Sequence, residues 1–133
     1  MTDNNETERP PTKARLIRLL RQFESDGYSQ YLGHTCRISN LTCGYAEKFL
    51  AVLPKGKVLP KIAPDGEGGL VMAWEAPEAT TLITVDGAYL SAVFGAGLPH
   101  AIYIDPIIFD GPRIPNEILH VIPNVAAAKE PTP

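Results

Sequence analysis

Residues 70–94 read LVMAWEAPEATTLITVDGAYLSAVF, and this stretch decides the fold. From Leu70 to Trp74, large apolar side chains occupy every second position. Residues 80–85 are rich in β-branched side chains. Both patterns are typical of β-strands with one buried face. Asp86-Gly87 is a hairpin signal that returns the chain antiparallel to itself. The stretch therefore predicts three consecutive antiparallel strands, at 70–75, 80–85 and 88–94.

The flanking segments predict further strands and a closing helix. A short edge piece at 61–63 ends in the turn cluster 64–69, PDGEGG. Downstream, 95–99 breaks the sheet and 100–104 is a last strand candidate, followed by a turn at Asp105-Pro106. Pro115 favours a helix start, so we expect a short helix up to Pro123.

Two helices are predicted before the sheet. Thr12 can cap the first, which runs to about Ser25 and ends at Gly27. Ser39 can cap the second, and Pro54 stops it. Between them, we expect 28–38 to form an irregular ordered loop. The side chains expected to fold back onto the core are those of Tyr28, Tyr31 and Leu32.

The fold class predicted from these elements is α+β. Two N-terminal helices pack on a four- or five-stranded antiparallel meander, with a short C-terminal helix. The chain has 133 residues, 44% of them hydrophobic and 20% charged, which fits a single globular domain. We expect that domain at 11–123, with a disordered lead at 1–10 and a disordered Pro-containing tail at 124–133.

The sequence favours residence in the cytoplasm. No stretch approaches 18 consecutive apolar residues, and residues 1–10 lack the basic start and apolar run of a signal peptide. Cys36 and Cys43 do not make a disulfide framework.

The two halves of the chain carry opposite charge. Residues 11–57 hold eight Lys/Arg against three Asp/Glu, whereas 58–123 hold two against eight. The halves either complement each other within the fold or offer a charged face to a partner of opposite sign. The side chains predicted to bind a partner are Lys13, Arg15, Arg18 and Arg21 of the first helix and Asp65, Glu67, Glu75 and Glu78 of the acidic turns.

Residue patterns for catalysis or metal binding are weak. His34, Cys36 and Cys43 lack the paired spacing of a zinc site, and no nucleophile, base and orienting group stand out. The glycine-rich turn at 64–69 precedes a predicted strand and carries two acids, unlike a phosphate loop. His100 has no evident partner as a base. We therefore predict no enzyme activity, no metal and no cofactor.

A series of short motifs resembles a widespread set of uncharacterised small bacterial proteins. The motifs, which span roughly 26–90, are Asp26-Gly27-Tyr28, a helix ending in Leu53-Pro54, Leu59-Pro60, Ile62, Ala63-Pro64, Asp65-Gly66, Gly68-Gly69 and Trp74. Ser25 stands where that pattern has tryptophan. The resemblance implies a helix-plus-sheet domain with no known catalysis. It also implies membership of mobile-element or phage cassettes, where antitoxins, immunity proteins and inhibitors are common.

The function predicted from the sequence is a non-enzymatic protein-binding module that occludes a partner. The alternative is a nucleic-acid-binding accessory protein that uses the basic first helix. We expect no membrane association, and an open sheet edge would allow a homo-oligomer.

Overall fold

The computed structural model describes residues 12–31, 33–76 and 79–125. Three helices and seven strands follow one another in this part of the chain. In chain order they are α1 (Lys13–Asp26), β1 (Tyr28–Tyr31), β2 (His34–Arg37), α2 (Asn40–Val52), β3 (Lys61–Pro64), β4 (Leu70–Glu75), β5 (Thr80–Asp86), β6 (Tyr89–Phe94), β7 (Ile102–Ile108) and α3 (Asn116–His120). The α+β prediction is confirmed.

Both long helices begin and end as the sequence predicts. The Thr12 side chain accepts a hydrogen bond from the Arg15 backbone N–H, and Gly27 ends α1 in the left-handed conformation at φ 78°. The Ser39 side chain accepts from the Thr42 backbone N–H at the start of α2. These caps satisfy backbone groups that a helix end leaves without intrahelical partners.

The main sheet is a five-stranded antiparallel meander in the order β3-β4-β5-β6-β7. Strands β4 and β5 alternate buried with half-buried positions, so the sheet has an inner and an outer face. The inner-face side chains are almost wholly buried: Leu70, Met72, Trp74, Thr81, Ile83, Val85, Leu90 and Ala92.

Helices α2 and α3 lie on the inner face, and α1 packs against α2. The core formed there includes Leu20 of α1, Phe49 of α2 and Ile118 of α3, none more than 1% exposed. Two polar contacts fix the layers: the Trp74 Nε1–H donates to the Val58 carbonyl (2.6 Å), and the Thr81 hydroxyl donates to the Val121 carbonyl (3.0 Å). Both come from inner-face side chains.

The prediction of an irregular loop at 28–38 is wrong. Strands β1 and β2 form a separate two-stranded antiparallel hairpin, in which Tyr28 pairs with Arg37 and Tyr31 with His34. Gly33 at φ 81° supplies the positive dihedral that a tight connection needs. Tyr28 is exposed rather than folded onto the core, and Leu32 and the Tyr31 side chain lie outside the described residues. The described side chains of the hairpin are mostly exposed, and they show no alternation of buried and exposed positions of the kind that identifies strands.

The predicted turn at Asp105-Pro106 is also wrong. Strand β7 runs through it, since Ile104 pairs with Ala92 and Ile107 with Leu90. Asp105 and Pro106 therefore oppose the single residue Ser91 in a β-bulge. Proline has no N–H to donate, and a bulge in an edge strand accommodates it without losing a ladder bond.

Three boundaries differ from prediction. Pro115 precedes α3 as its N-cap, and the helix ends at His120 rather than Ile122. Asn124 pairs with Lys57, and the Val125 backbone N–H donates to the Gly56 carbonyl (2.7 Å). The regular hydrogen bonding thus continues two residues into the predicted tail.

The remaining parts of the predicted lead and tail, 1–10 and 126–133, lie outside the described residues. Within the described ranges, no helix is long and apolar enough to cross a membrane.

Candidate interaction surface

The basic side chains of α1 do not form one free face. The Lys13 ammonium donates to the Leu53 carbonyl at the end of α2 (2.7 Å). Arg21 forms a bidentate pair with Glu47 of α2, with its Nε–H and a terminal amino group donating over 3.4 Å and 2.8 Å. Glu47 raises the pKa of Arg21, mainly through this hydrogen bond, and keeps it charged. Lys13 and Arg21 therefore hold α1 against α2.

The other two predicted cations differ from each other. Arg18 is exposed, whereas Arg15 is half-buried. Gripping a phosphate backbone requires several cations that can each replace a counterion. With Lys13 and Arg21 bonded to α2, the helix gives little support to nucleic-acid binding.

The predicted acidic positions are scattered rather than gathered into one surface. One Asp65 oxygen accepts hydrogen bonds from the backbone N–H groups of Glu67 (2.6 Å) and Gly69 (2.9 Å), which builds the turn before β4. The exposed side chain of Glu75 pairs with Lys61 across β3 and β4 at 3.5 Å. Glu67 is exposed, and Glu78 lies outside the described residues.

Among the described residues, the cysteines and histidines do not come together as a metal site. No group of three or more His, Cys, Asp or Glu residues that could hold a metal ion occurs among the described residues. Cys43 is buried on α2, and burial, with a smaller effect of Glu24, raises its pKa to about 11. A thiol with so high a pKa is a poor nucleophile at neutral pH.

The surface that sequence reasoning missed is apolar and lies on β6 and β7. Among the described residues, six of the eleven exposed large hydrophobic side chains fall between residues 89 and 108, so the exposure is concentrated in one part of the described chain. Concentrated apolar exposure marks interaction sites, whereas single exposed apolar residues are ordinary. The six residues are Tyr89, Phe94, Leu98, Ile102, Tyr103 and Ile108.

Three of these six form what we term the corner cluster: Phe94, Leu98 and Ile102. Phe94 and Ile102 are direct cross-strand partners at the end of the β6–β7 hairpin. Leu98, 48% exposed, lies in the connecting turn, where its N–H donates to the Gly95 carbonyl (3.0 Å). The Gly95 N–H in turn donates to the Thr80 carbonyl of β5 (2.9 Å). The backbone hydrogen bonds therefore hold the cluster in one shape.

The other three residues lie on the outer face of the sheet. Tyr103 is 73% exposed, and it continues a cross-strand row from Val93 of β6 and Leu82 of β5. Ile108 is 64% exposed and pairs with Tyr89. An antiparallel sheet that faces water usually carries polar side chains on that face. Here polar side chains such as Glu75 and Asp86 share the face with apolar ones, and the most exposed apolar ones lie at the β7 edge.

One sequence signal points to this surface. Residues 92–94 (AVF), 102–104 (IYI) and 107–109 (IIF) are apolar at consecutive positions, so both faces of their strands are apolar. Such runs are typical of strands covered on both sides. Among the described residues, β6 and β7 are covered on their inner face only.

No protein-family model, curated protein or solved structure matches the chain.

Proposed function

We propose that this protein is a protein-binding module that acts by covering a surface of its partner, and that the corner cluster is its docking point. The observation that carries the proposal is the concentration of exposed apolar side chains at the end of the β6–β7 hairpin. Binding at such a cluster releases water from apolar surface, which is the main driving force of protein association.

The construction of the cluster supports binding with little loss of conformational freedom. Its three side chains stand on two paired strands and a turn tied to β5 by backbone hydrogen bonds. A surface that is already ordered loses less entropy when a partner binds. Phe94 and Ile102 supply the aromatic and aliphatic anchors typical of interface centres.

The acidic half of the chain sets the expected chemistry of the partner. Residues 58–123 carry eight Asp/Glu against two Lys/Arg, and two of these acids, Asp105 on β7 and Asp110 just after it, are exposed. We expect a partner whose apolar patch is bordered by Lys or Arg, because complementary charge speeds association and excludes wrong partners.

The test compares three forms of the full chain as affinity baits in the cells that encode it. They are the wild type, the double variant Leu98→Ser/Ile102→Thr, and the control Leu41→Ser, which changes a side chain of similar exposure (61%) on α2. The wild type and the control should capture the same protein in stoichiometric amount. The double variant should lose at least about tenfold of it.

Retention of that protein by the double variant, or the absence of any stoichiometric protein from all three baits, would refute the proposal. Loss caused by unfolding is checked by thermal melting, since exposed substitutions should leave the melting temperature nearly unchanged. The nucleic-acid alternative has a separate test: retention on DNA at low salt that falls steeply with added salt and is abolished by Arg18→Glu.

A further inference from the structure

We propose that the outer face of the sheet binds a second copy of this chain, and that the two copies are related by a two-fold axis parallel to the strands. The surface is separate from the corner cluster, whose Phe94 and Ile102 lie in register with inner-face positions. The inference therefore goes beyond the proposed function, and the two can fail independently.

The argument starts from one cross-strand row on the outer face. Direct partners connect five residues from one sheet edge to the other: Lys61, Ala73, Leu82, Val93 and Tyr103. The row is graded, with a cation and a small side chain at the β3–β4 edge, Leu82 in the middle, and a large aromatic ring at the β7 edge. Antiparallel partners project to the same face, so all five side chains share the outer surface.

A two-fold axis parallel to β5 lays this row on its own reversed copy. Tyr103 of one copy then meets Lys61 and Ala73 of the other, and Leu82 meets Leu82. The large ring fills the space left by the small alanine, and a lysine ammonium over a tyrosine face is a favourable cation–π contact. Two packed sheets keep their strands within about 30° of alignment, so the two rows cross at Leu82 at no more than about that angle.

The second outer-face row is complementary under the same operation. It runs from Ala63 through Val71, Thr84 and Ser91 to the bulge that contains Asp105. Reversal places the exposed Asp105 over the β3 edge, where Lys61 lies one pair away. Asp105 of one copy thus approaches Lys61 of the other, which also pairs with Glu75 of its own chain at 3.5 Å. Asp86, exposed on the outer face of β5, meets its own counterpart near the axis.

The alternative axis, perpendicular to the strands, fits less well. It would stack β7 on β7 and β3 on β3. Tyr103 and Ile108 of one copy would then crowd against Tyr103 and Ile108 of the other. The small side chains Ala63 and Ala73 would each face their own strand in the other copy, away from these large ones. Interfaces reach the packing density of protein interiors, which that arrangement does not allow.

Pairing through the sheet edges is also disfavoured. Strand β3 is four residues long and ends in Pro64, and β7 carries a bulge at Asp105-Pro106. Short strands, prolines and bulges are the features that keep sheet edges from pairing. The homo-oligomer expected at an open edge is therefore assigned to the sheet face instead.

The size of the face sets the expected affinity. Five strands about 4.8 Å apart and about six residues long give a footprint of the order of 500 Å². That is below the ~800 Å² per partner of standard stable interfaces. We therefore expect a dimer that dissociates in the micromolar range.

The first experiment measures mass by sedimentation velocity on the full chain, from about 1 µM to about 100 µM. The wild type should shift from the 14.4 kDa monomer to twice that mass. Tyr103→Lys should weaken dimerisation at least about tenfold, because it opposes Lys61 of the other copy. The control Leu41→Lys should leave it unchanged.

The second experiment tests the reversed rows themselves. The double variant Lys61→Glu/Tyr103→Lys should recover part of the lost affinity, since it restores opposite charges across the axis. In a Cys36→Ser background, Lys61→Cys/Tyr103→Cys should form intermolecular disulfides much faster than Tyr103→Cys alone.

Several results would overturn the proposal. One is a wild type that stays monomeric at about 100 µM, and another is equal weakening by Leu41→Lys. A double charge variant without recovery, or rapid cross-linking of Tyr103→Cys alone, would exclude the strand-parallel axis. Leu98→Ser/Ile102→Thr should not change the mass, which separates this result from that of the proposed function.

Discussion

The two faces of the same five-stranded sheet differ in how completely they are covered. Ile83 and Val85 of β5 are fully buried on the inner face, whereas their neighbours Leu82 and Thr84 are half-buried on the outer face. At the β7 edge of the outer face, Tyr103 remains 73% exposed. A single strand thus supplies both the centre of the core and part of an apolar surface.

This difference separates residues that hold the fold from residues available for binding. Burial of the inner-face side chains under α2 and α3 stabilises the folded chain. Apolar side chains on the outer face can contribute hydrophobic free energy only when another surface buries them. Substitutions on the inner face should therefore lower stability, and those on the outer face should change association.

The largest expected effect compares two neighbours on β5. Ile83→Ala should lower the free energy of unfolding by about 3 kcal/mol, because it leaves a cavity in the core. Leu82→Ala should lower it by about 1 kcal/mol in dilute solution, where its side chain is half-solvated. Urea unfolding monitored by the fluorescence of Trp74 measures both values.

Protein concentration sharpens this comparison. Leu82 lies on the proposed two-fold axis, and dimerisation stabilises the folded state by mass action. The loss of unfolding free energy caused by Leu82→Ala should therefore grow as the protein is concentrated. The loss of unfolding free energy caused by Ile83→Ala should depend less on protein concentration. Equal costs for the two variants at low concentration would contradict the difference between the faces.

A smaller effect comes from the same isosteric change made on either side of the sheet. The Thr42 hydroxyl of α2 is buried and accepts a hydrogen bond from the Gly87 N–H at 2.8 Å. Thr42→Val should cost about 1–2 kcal/mol, since it leaves the half-buried Gly87 N–H without this acceptor. Thr84→Val, on the outer face, should stay within about 0.5 kcal/mol. Equal losses in urea unfolding would show that the outer face is as closed as the core.

Much of the fold could be predicted because its signals are local. Helix caps at Thr12 and Ser39, the left-handed Gly27 and the alternation in 70–85 each follow from contacts within a few residues. The β1–β2 hairpin could not be found this way, because the side chains of β2 are mostly exposed and carry no alternating burial pattern. The bulge at Asp105-Pro106 resembles a turn in sequence, and the pairing of β7 with β6 overrides that local preference.

The exposed apolar surface was harder to predict than the fold. Charge pattern pointed to Lys13 and Arg21, yet both side chains bond to α2. Whether a cation contacts a partner or a neighbouring helix depends on tertiary packing, which spacing along α1 does not reveal. The apolar runs at 102–104 and 107–109 did carry a signal, but a strand covered on both sides by its own chain would have the same composition.

The smallest perturbation that compares core with surface needs no substitution, because the chain has one thiol in each environment. Cys43 is buried in the core, and burial raises its pKa to about 11, whereas Cys36 is half-buried on β2. At pH 8 only about one Cys43 side chain in a thousand is a thiolate. In addition, the reagent can reach Cys43 only when the core opens. A maleimide followed by mass spectrometry should therefore modify Cys36 quickly and Cys43 only in urea. Because the folded state holds the Cys43 proton more tightly than the unfolded state, this thiol should lower stability as the pH rises above about 8.5. Equal rates for the two thiols in native buffer would mean that the layer between α2 and the sheet opens far more readily than its packing indicates.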